Sequence, residues 1–254
     1  MQVTFLGTGT SHGVPVIGCR CGVCLSSDPR DKRWRPSILI RTGSGAQVLV
    51  DTSTDLRAQA LAFGVERVDA ILFTHSHADH VFGLDEVRRF NTLQREPVPL
   101  YADRRTLDDL RRTFSYAFDP HTPAGGGLPE LRPFEILGPF CVGGIEVVPI
   151  PIRHGGRTIL GYRAGRFAYL TDCNGIPEGS LALLGGLDLV VLGALRHRPH
   201  PTHFTIEEAT SMARRIGARQ TLFTHMCHDL GHAATCAALP AGISLAHDGL
   251  MVEV

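Results

Sequence analysis

The sequence predicts an α/β fold in which short strands alternate with amphipathic helices around one large core. Three observations carry this. Apolar residues make up 43% of 254, enough to bury a substantial interior at this length. Short apolar runs rich in β-branched residues recur along the chain, and helix-period segments fall between them in both halves. We therefore expect one domain over residues 1–254.

The predicted strands are Val3–Leu6, Ser37–Ile40, Gln47–Val50, Ala70–Phe73, Ile145–Ile152, Phe167–Leu170, Leu187–Leu192 and Thr221–Phe223. Thr42-Gly43-Ser44-Gly45 joins the second and third as a hairpin. Helical periodicity covers Asp55–Phe63, Asp85–Leu93, Leu107–Phe114 and Ile206–Ile216. The last of these opens on Thr205-Ile206-Glu207-Glu208, the spacing at which Thr205 caps the helix and Glu208 reaches back. Gly125-Gly126-Gly127, in a Pro-rich stretch, marks a surface loop near the middle.

Charge balances at 25 basic and 25 acidic side chains, so no global field draws the protein onto nucleic acid or an anionic membrane. The chain opens without a basic, apolar leader, and its longest apolar stretch, Leu181–Leu195, is broken by Asp188 and glycines. These features predict a cytoplasmic protein with no membrane partner. Seven cysteines without regular spacing argue against a disulfide framework. In a reducing compartment, Cys19-Arg20-Cys21-Gly22-Val23-Cys24 reads as a metal cluster.

The strand Ala70–Phe73 runs into Thr74-His75-Ser76-His77-Ala78-Asp79-His80, four potential ligands in six residues at the carboxyl end of a strand. In an extended loop, His75 and His77 point the same way, while Asp79 and His80 turn towards a second position. Zinc or manganese accepts imidazole nitrogen and carboxylate oxygen at about 2.0 to 2.2 Å, so these short neighbours can serve a pair of ions. Further candidates end later apolar runs: His154, Asp172 and His225. Any one of them alone would read as an ordinary surface or hydrogen-bonded residue.

Together, HxHxDH followed by strand-terminal His, Asp and His resembles the metallo-β-lactamase-fold hydrolases. The resemblance implies an αββα sandwich of two mixed sheets flanked by helices. It implies one divalent ion on His75, His77 and His154, a second on Asp79, His80 and His225, and Asp172 bridging them. Two such ions, manganese or zinc, with two carboxylates and a shared hydroxide would leave a formal charge of plus one, suited to a monoanionic phosphodiester.

Three thiolates want a fourth soft or borderline ligand, and Thr224-His225-Met226-Cys227-His228 offers both Cys227 and His228. Within the superfamily, the segment LGTGTSHGVPVIGCRCGVC together with THMCH resembles the PhnP family of phosphoribosyl 1,2-cyclic phosphate phosphodiesterases. That resemblance implies a structural zinc on Cys19, Cys21, Cys24 and His228, and a homodimer. In Arg196–His203, His197 and His200 read as solvated loop. Pro201-Thr202-His203-Phe204-Thr205 resembles the family segment whose histidine contacts the scissile phosphate. This makes His203 the expected acid for the leaving oxygen and, with Asp79, a catalytic residue. Arg30–Arg35, RDKRWR, reads as a solvated basic face.

The expected activity is dinuclear hydrolysis of a small cyclic phosphodiester, of the ribose 1,2-cyclic or 2′,3′-cyclic nucleotide type. Three rivals share parts of this pattern. A transfer-RNA 3′-processing endonuclease would need a gripping arm and basic charge, and neither is evident, so no nucleic-acid partner is expected. A thioesterase or lactonase would use the same cluster, but His203 and the cysteines favour phosphorus. A non-catalytic accessory protein of pyrroloquinoline quinone biosynthesis has a similar cysteine segment, yet a mere binder has no need of the whole ligand set.

Overall fold

The computed structural model describes residues 1–123 and 127–254; of the predicted triple-glycine loop, Gly125 and Gly126 lie outside the described residues. One sheet holds β1 (Gln2–Gly7), β2 (Ser37–Arg41), β3 (Gln47–Val50), β4 (Ala70–Leu72), β5 (Val98–Ala102) and β6 (Leu131–Glu135) in chain order, with β14 (Met251–Glu253) against β1. The other holds β7 (Phe140–Val142), β8 (Ile145–His154), β9 (Arg157–Ala164), β10 (Phe167–Leu170), β11 (Leu189–Gly193), β12 (Gln220–Thr224) and β13 (Ile243–Leu245), also in chain order. Each sheet is antiparallel at one end and parallel at the other.

Strand alternation explains why the sheets stack. Val3 and Phe5 on β1 pair with Ile40 and Ile38 on β2, and all four are buried in the layer between sheets with Tyr169, Val191 and Leu222 from the second sheet. Leu39, Leu49 and Ile71 face the opposite way, under α1 (Leu56–Phe63), α3 (Val87–Gln94) and α4 (Arg104–Thr113). Ala168, Val190 and Phe223 likewise meet α7 (Ile206–Ile216) on the far side. Both faces of the central strands are therefore buried, which is why they read as continuous apolar runs. The layers run helix, sheet, sheet, helix, as the resemblance implied. Among the described residues, no helix is long and apolar enough to cross a membrane.

Most predicted boundaries fall within a residue or two. The capping box of α7 is present in full: the Glu208 amide donates to Thr205 Oγ1 at 3.1 Å, and the Thr205 amide to Glu208 Oε2 at 2.8 Å. The third helix starts at Val87 because a 3-10 turn, Leu84–Glu86, precedes it. The next starts at Arg104, capped by Asp103, which accepts from the Thr106 amide at 2.7 Å. β5 and β9 escaped prediction because Pro99 and Gly161 interrupt their patterns. β8 tolerates Pro149 and Pro151 because β7 pairs it only up to Val147, beyond which one side is a free edge.

The basic run near residue 33 corrects an expectation. Arg30 is exposed, but the Arg33 side chain is fully buried, donating to the Cys227 carbonyl at 2.9 Å and the Leu230 carbonyl at 2.6 Å. The run is not a solvated face. It ties the amino-terminal loop to the segment after β12.

Candidate metal centre

Strands of both sheets end on the same rim, and the loops after β4, β10 and β12 together with the end of β8 deliver the candidate ligands. After β4, Thr74–His77 is irregular chain, and α2 (Ala78–Val81) then turns Asp79 and His80 inward. His154 ends β8, Asp172 follows β10, and His225 follows β12. Asp172 and His225 sit in the left-handed region, at φ 58° and 59°, a conformation unfavourable for non-glycine residues by about 1–2 kcal/mol. Glycines make room beside Asp172 and after His154. A Cβ on Gly193 would meet the Asp172 amide at 2.8 Å, and one on Gly155 would meet Thr202 Cγ2 at 2.8 Å.

Overlapping ligand groups result, one of which joins His203 to His154 and Asp172. The donor atoms of His75, His77 and His154 lie within 4.8 Å of one another, as do those of Asp79, His80, Asp172 and His225. Asp172 lies between them: its carboxylate is 3.9 Å from His75 Nε2, 3.2 Å from His80 Nε2 and 3.1 Å from His225 Nε2. Asp79 is 3.5 Å from His80 Nε2 and 3.3 Å from His225 Nε2. The seven residues singled out from the sequence thus converge on one rim.

The electrostatics call for cations. Burial would raise the Asp172 carboxyl, but His225 and His80 beside it hold it well below the usual range. Burial would strip the proton from His80, but Asp172, Asp79 and Asp51 around it raise it well above the ordinary histidine value. Buried His75 Nε2 and His80 Nε2 lack any hydrogen-bond partner. Imidazole nitrogens without a hydrogen-bond partner, set beside buried carboxylates, offer free lone pairs next to negative charge, and divalent ions fit them.

The supporting contacts include one residue that the sequence reading missed. Asp51, also left-handed at φ 63°, accepts from His80 Nδ1 at 2.7 Å and from the Thr74 amide and hydroxyl, each at 2.8 Å. It leaves His80 Nε2 as the free nitrogen. Its signal was available, since an aspartate ends the run Gln47–Val50 just as Asp172 ends Phe167–Leu170. His154 is oriented by donating through Nδ1 to the Thr202 carbonyl at 3.0 Å.

His203 stacks on His225 with centroids 4.8 Å apart and packs against His154 at 4.9 Å. Burial, with His225 next, draws it down to about 3. The ring is therefore neutral and keeps a single N–H, rather than titrating near neutral pH as the sequence suggested. His197 is exposed and pairs with Glu207, as expected of loop, whereas His200 is half-buried with its ring 5.0 Å from His203.

The cysteine cluster closes on the histidine. His228 Nδ1 lies 3.2 Å from Cys19 Sγ and 3.5 Å from both Cys21 and Cys24 Sγ, and the four donors lie within 4.8 Å of one another. Cys227 is turned away, its sulfur accepting from the Asp229 amide at 3.3 Å. The hydrogen bond from the Cys24 amide, helped by the neighbouring thiols and His228, lowers the Cys21 thiol to about 6 against the opposing effect of burial, so a thiolate is available there at neutral pH.

Comparison with known proteins follows from this geometry. Residues 46–226 match the β-lactamase superfamily domain. A crystal structure described as "a New Diphosphatase from the PhnP Family" superposes with a TM-score of 0.93 at 46% identity, covering 100% of this chain and 96% of that one. An octanoyltransferase of Porphyromonas gingivalis is 40% identical over 98% of this chain, and the chain spans 51% of that protein's length. A coenzyme PQQ synthesis protein B of Methylobacterium nodulans is 31% identical over 75% of this chain and 72% of the relative.

Proposed function

The chain belongs to the β-lactamase superfamily and has its hydrolase fold, and from that premise we propose that it hydrolyses a small-molecule phosphodiester with two divalent ions. The observation that carries this reading is the buried pair of ligand groups meeting at Asp172. His75, His77 and His154 would hold one ion, and Asp79, His80 and His225 the other, with Asp172 serving both. Cys19, Cys21, Cys24 and His228 would hold a structural zinc. When bound, two divalent ions supply a nucleophile from water near neutral pH and offset charge on the phosphoryl oxygens.

The chain's own residues do the rest. Asp51 and the Thr202 carbonyl fix the tautomers and directions of His80 and His154, so that no rearrangement is needed at reaction. The neutral ring of His203, half-buried at the rim, can donate its N–H to the phosphate. Negative charge arriving beside it raises its proton affinity and prepares it to protonate the leaving oxygen.

A cyclic sugar phosphodiester and a diphosphate diester both present a singly ionised phosphorus with an oxygen leaving group. The first is the substrate of the PhnP resemblance. The second is favoured by the 46% identity to the diphosphatase. Octanoyl transfer is not carried over: the chain spans half of that relative, and Cys173, beside Asp172, is fully buried with its thiol on the Leu170 carbonyl. Turnover of bis(p-nitrophenyl) phosphate should vanish on chelation, return with manganese or zinc, and be absent in folded Asp172→Ala. Activity in that variant with unchanged metal content refutes the reading.

A further inference from the structure

A cavity of about 320 Å³ opens beside the metal centre, with His203 in its wall and Arg196, Arg198, His12 and His200 around it. It borders the ring expected to face the leaving oxygen, so it is the side on which the remainder of the substrate leaves the reacting phosphorus. Among the described residues lining it, the one carboxylate is Asp229. Arg198 answers that charge, with Nη2 3.1 Å from Asp229 Oδ2.

Arg196 is left over. It is half-buried and makes no ion pair among the described residues. Its Nε donates to the Arg198 carbonyl at 3.1 Å and its Nη2 to the Pro199 carbonyl at 3.2 Å. Those two bonds set the direction of the guanidinium plane and use two of its five N–H donors. A planar fork, held in place and without a carboxylate, matches a phosphoryl group. His200 adds a second donor: its Nδ1 accepts from Thr202, through the amide at 3.3 Å and the hydroxyl at 3.2 Å, which leaves Nε2–H free. The floor of the cavity, Cys227–Asp229, is held by the Arg33 bond to the Cys227 carbonyl and by the cysteine cluster on His228. That wall of the cavity is therefore tied to the amino-terminal loop.

We propose that this cavity seats a second phosphoryl group of the substrate on the leaving-group side, with Arg196 as its principal cation and His200 as a supporting donor. The inference rests on the phosphodiesterase reading. The second phosphoryl group is either the neighbouring phosphate of a diphosphate diester or a remote phosphate on a cyclic sugar ester.

The test compares metal-loaded wild-type protein, Arg196→Ala and Arg196→Lys on four substrates. These are bis(p-nitrophenyl) phosphate, ribose 1,2-cyclic phosphate with and without a 5-phosphate, and a dinucleoside diphosphate. Wild type should favour a substrate bearing the second phosphoryl group. Arg196→Ala should lower kcat/KM for that substrate by about 10- to 100-fold while changing bis(p-nitrophenyl) phosphate less than about twofold. Arg196→Lys, which keeps the charge and loses the fork, should fall between. Which of the two doubly phosphorylated substrates shows the effect identifies the source. Equal losses on all substrates, or no loss on any, overturn the proposal. If wild type cleaves none of the four, the phosphodiesterase reading fails, and calorimetry with ribose 5-phosphate still decides the subsite: weaker binding to Arg196→Ala supports it, and equal binding overturns it.

Discussion

At the residue scale, the centre depends on side chains whose backbones are held where few residues settle. Asp51, Asp172 and His225 all have positive φ; Asp51 and His225 follow directly on β3 and β12, and Asp172 follows β10 after Thr171. The surrounding layers stabilise that strain and fix the ligands in return. Asp51 touches no expected ion position, yet replacing it with alanine frees the His80 ring. Chelator competition should show metal affinity reduced about 10- to 100-fold with the fold intact. Unchanged affinity would reduce Asp51 to a packing residue. His203→Ala should slow alkoxide leaving groups far more than nitrophenolate, and an equal loss on both would refute the acid role. The seven candidate ligands were legible because each is a short-range motif or a polar residue ending an apolar run. The Thr202 carbonyl was not, since a backbone acceptor 48 residues from His154 leaves no trace in residue type. Nor was the burial of Arg33, because a charge is buried only where distant carbonyls await it.

At the element scale, periodicity revealed the strands buried on both faces and the amphipathic helices. It failed where a strand is an edge or is interrupted by proline or glycine, as in β6, β7, β5 and β9. The capping box fixed the start of α7 to the residue, and it follows His203 at once. Thr205→Ala should therefore cost about 1 kcal/mol, read as a lowered urea midpoint. A midpoint equal to that of wild type would mean that the loop before α7 is held by other contacts. The cysteine loop is joined to the end of β12 by His228, across more than 200 residues of chain. X-ray absorption on protein holding only the structural zinc should give three sulfurs and one nitrogen. Four sulfurs would instead select Cys227.

At the scale of the whole molecule, the two ends of the chain meet, and Asp248 joins them. It accepts from the Thr8 amide and hydroxyl at 2.9 and 2.7 Å and from the Trp34 amide at 2.6 Å. Burial pushes its carboxyl up to about 7 against these bonds. Between about pH 4 and 7, the folded protein keeps a proton that the unfolded chain has released, so this group's contribution falls as pH rises through that window. The difference in urea midpoint between wild type and Asp248→Asn should therefore change between pH 4.5 and 7.5, with wild type losing ground. A constant difference would contradict the raised value. The central claim, that the rim between the sheets hydrolyses phosphodiesters, is tested most directly by phosphorus NMR of turnover in water enriched in oxygen-18. Manganese-loaded protein acting on ribose 1,2-cyclic phosphate 5-phosphate or a dinucleoside diphosphate should yield a phosphomonoester bearing one heavy oxygen on phosphorus. Label found on carbon, or neither substrate cleaved by protein with its full metal complement, would contradict it.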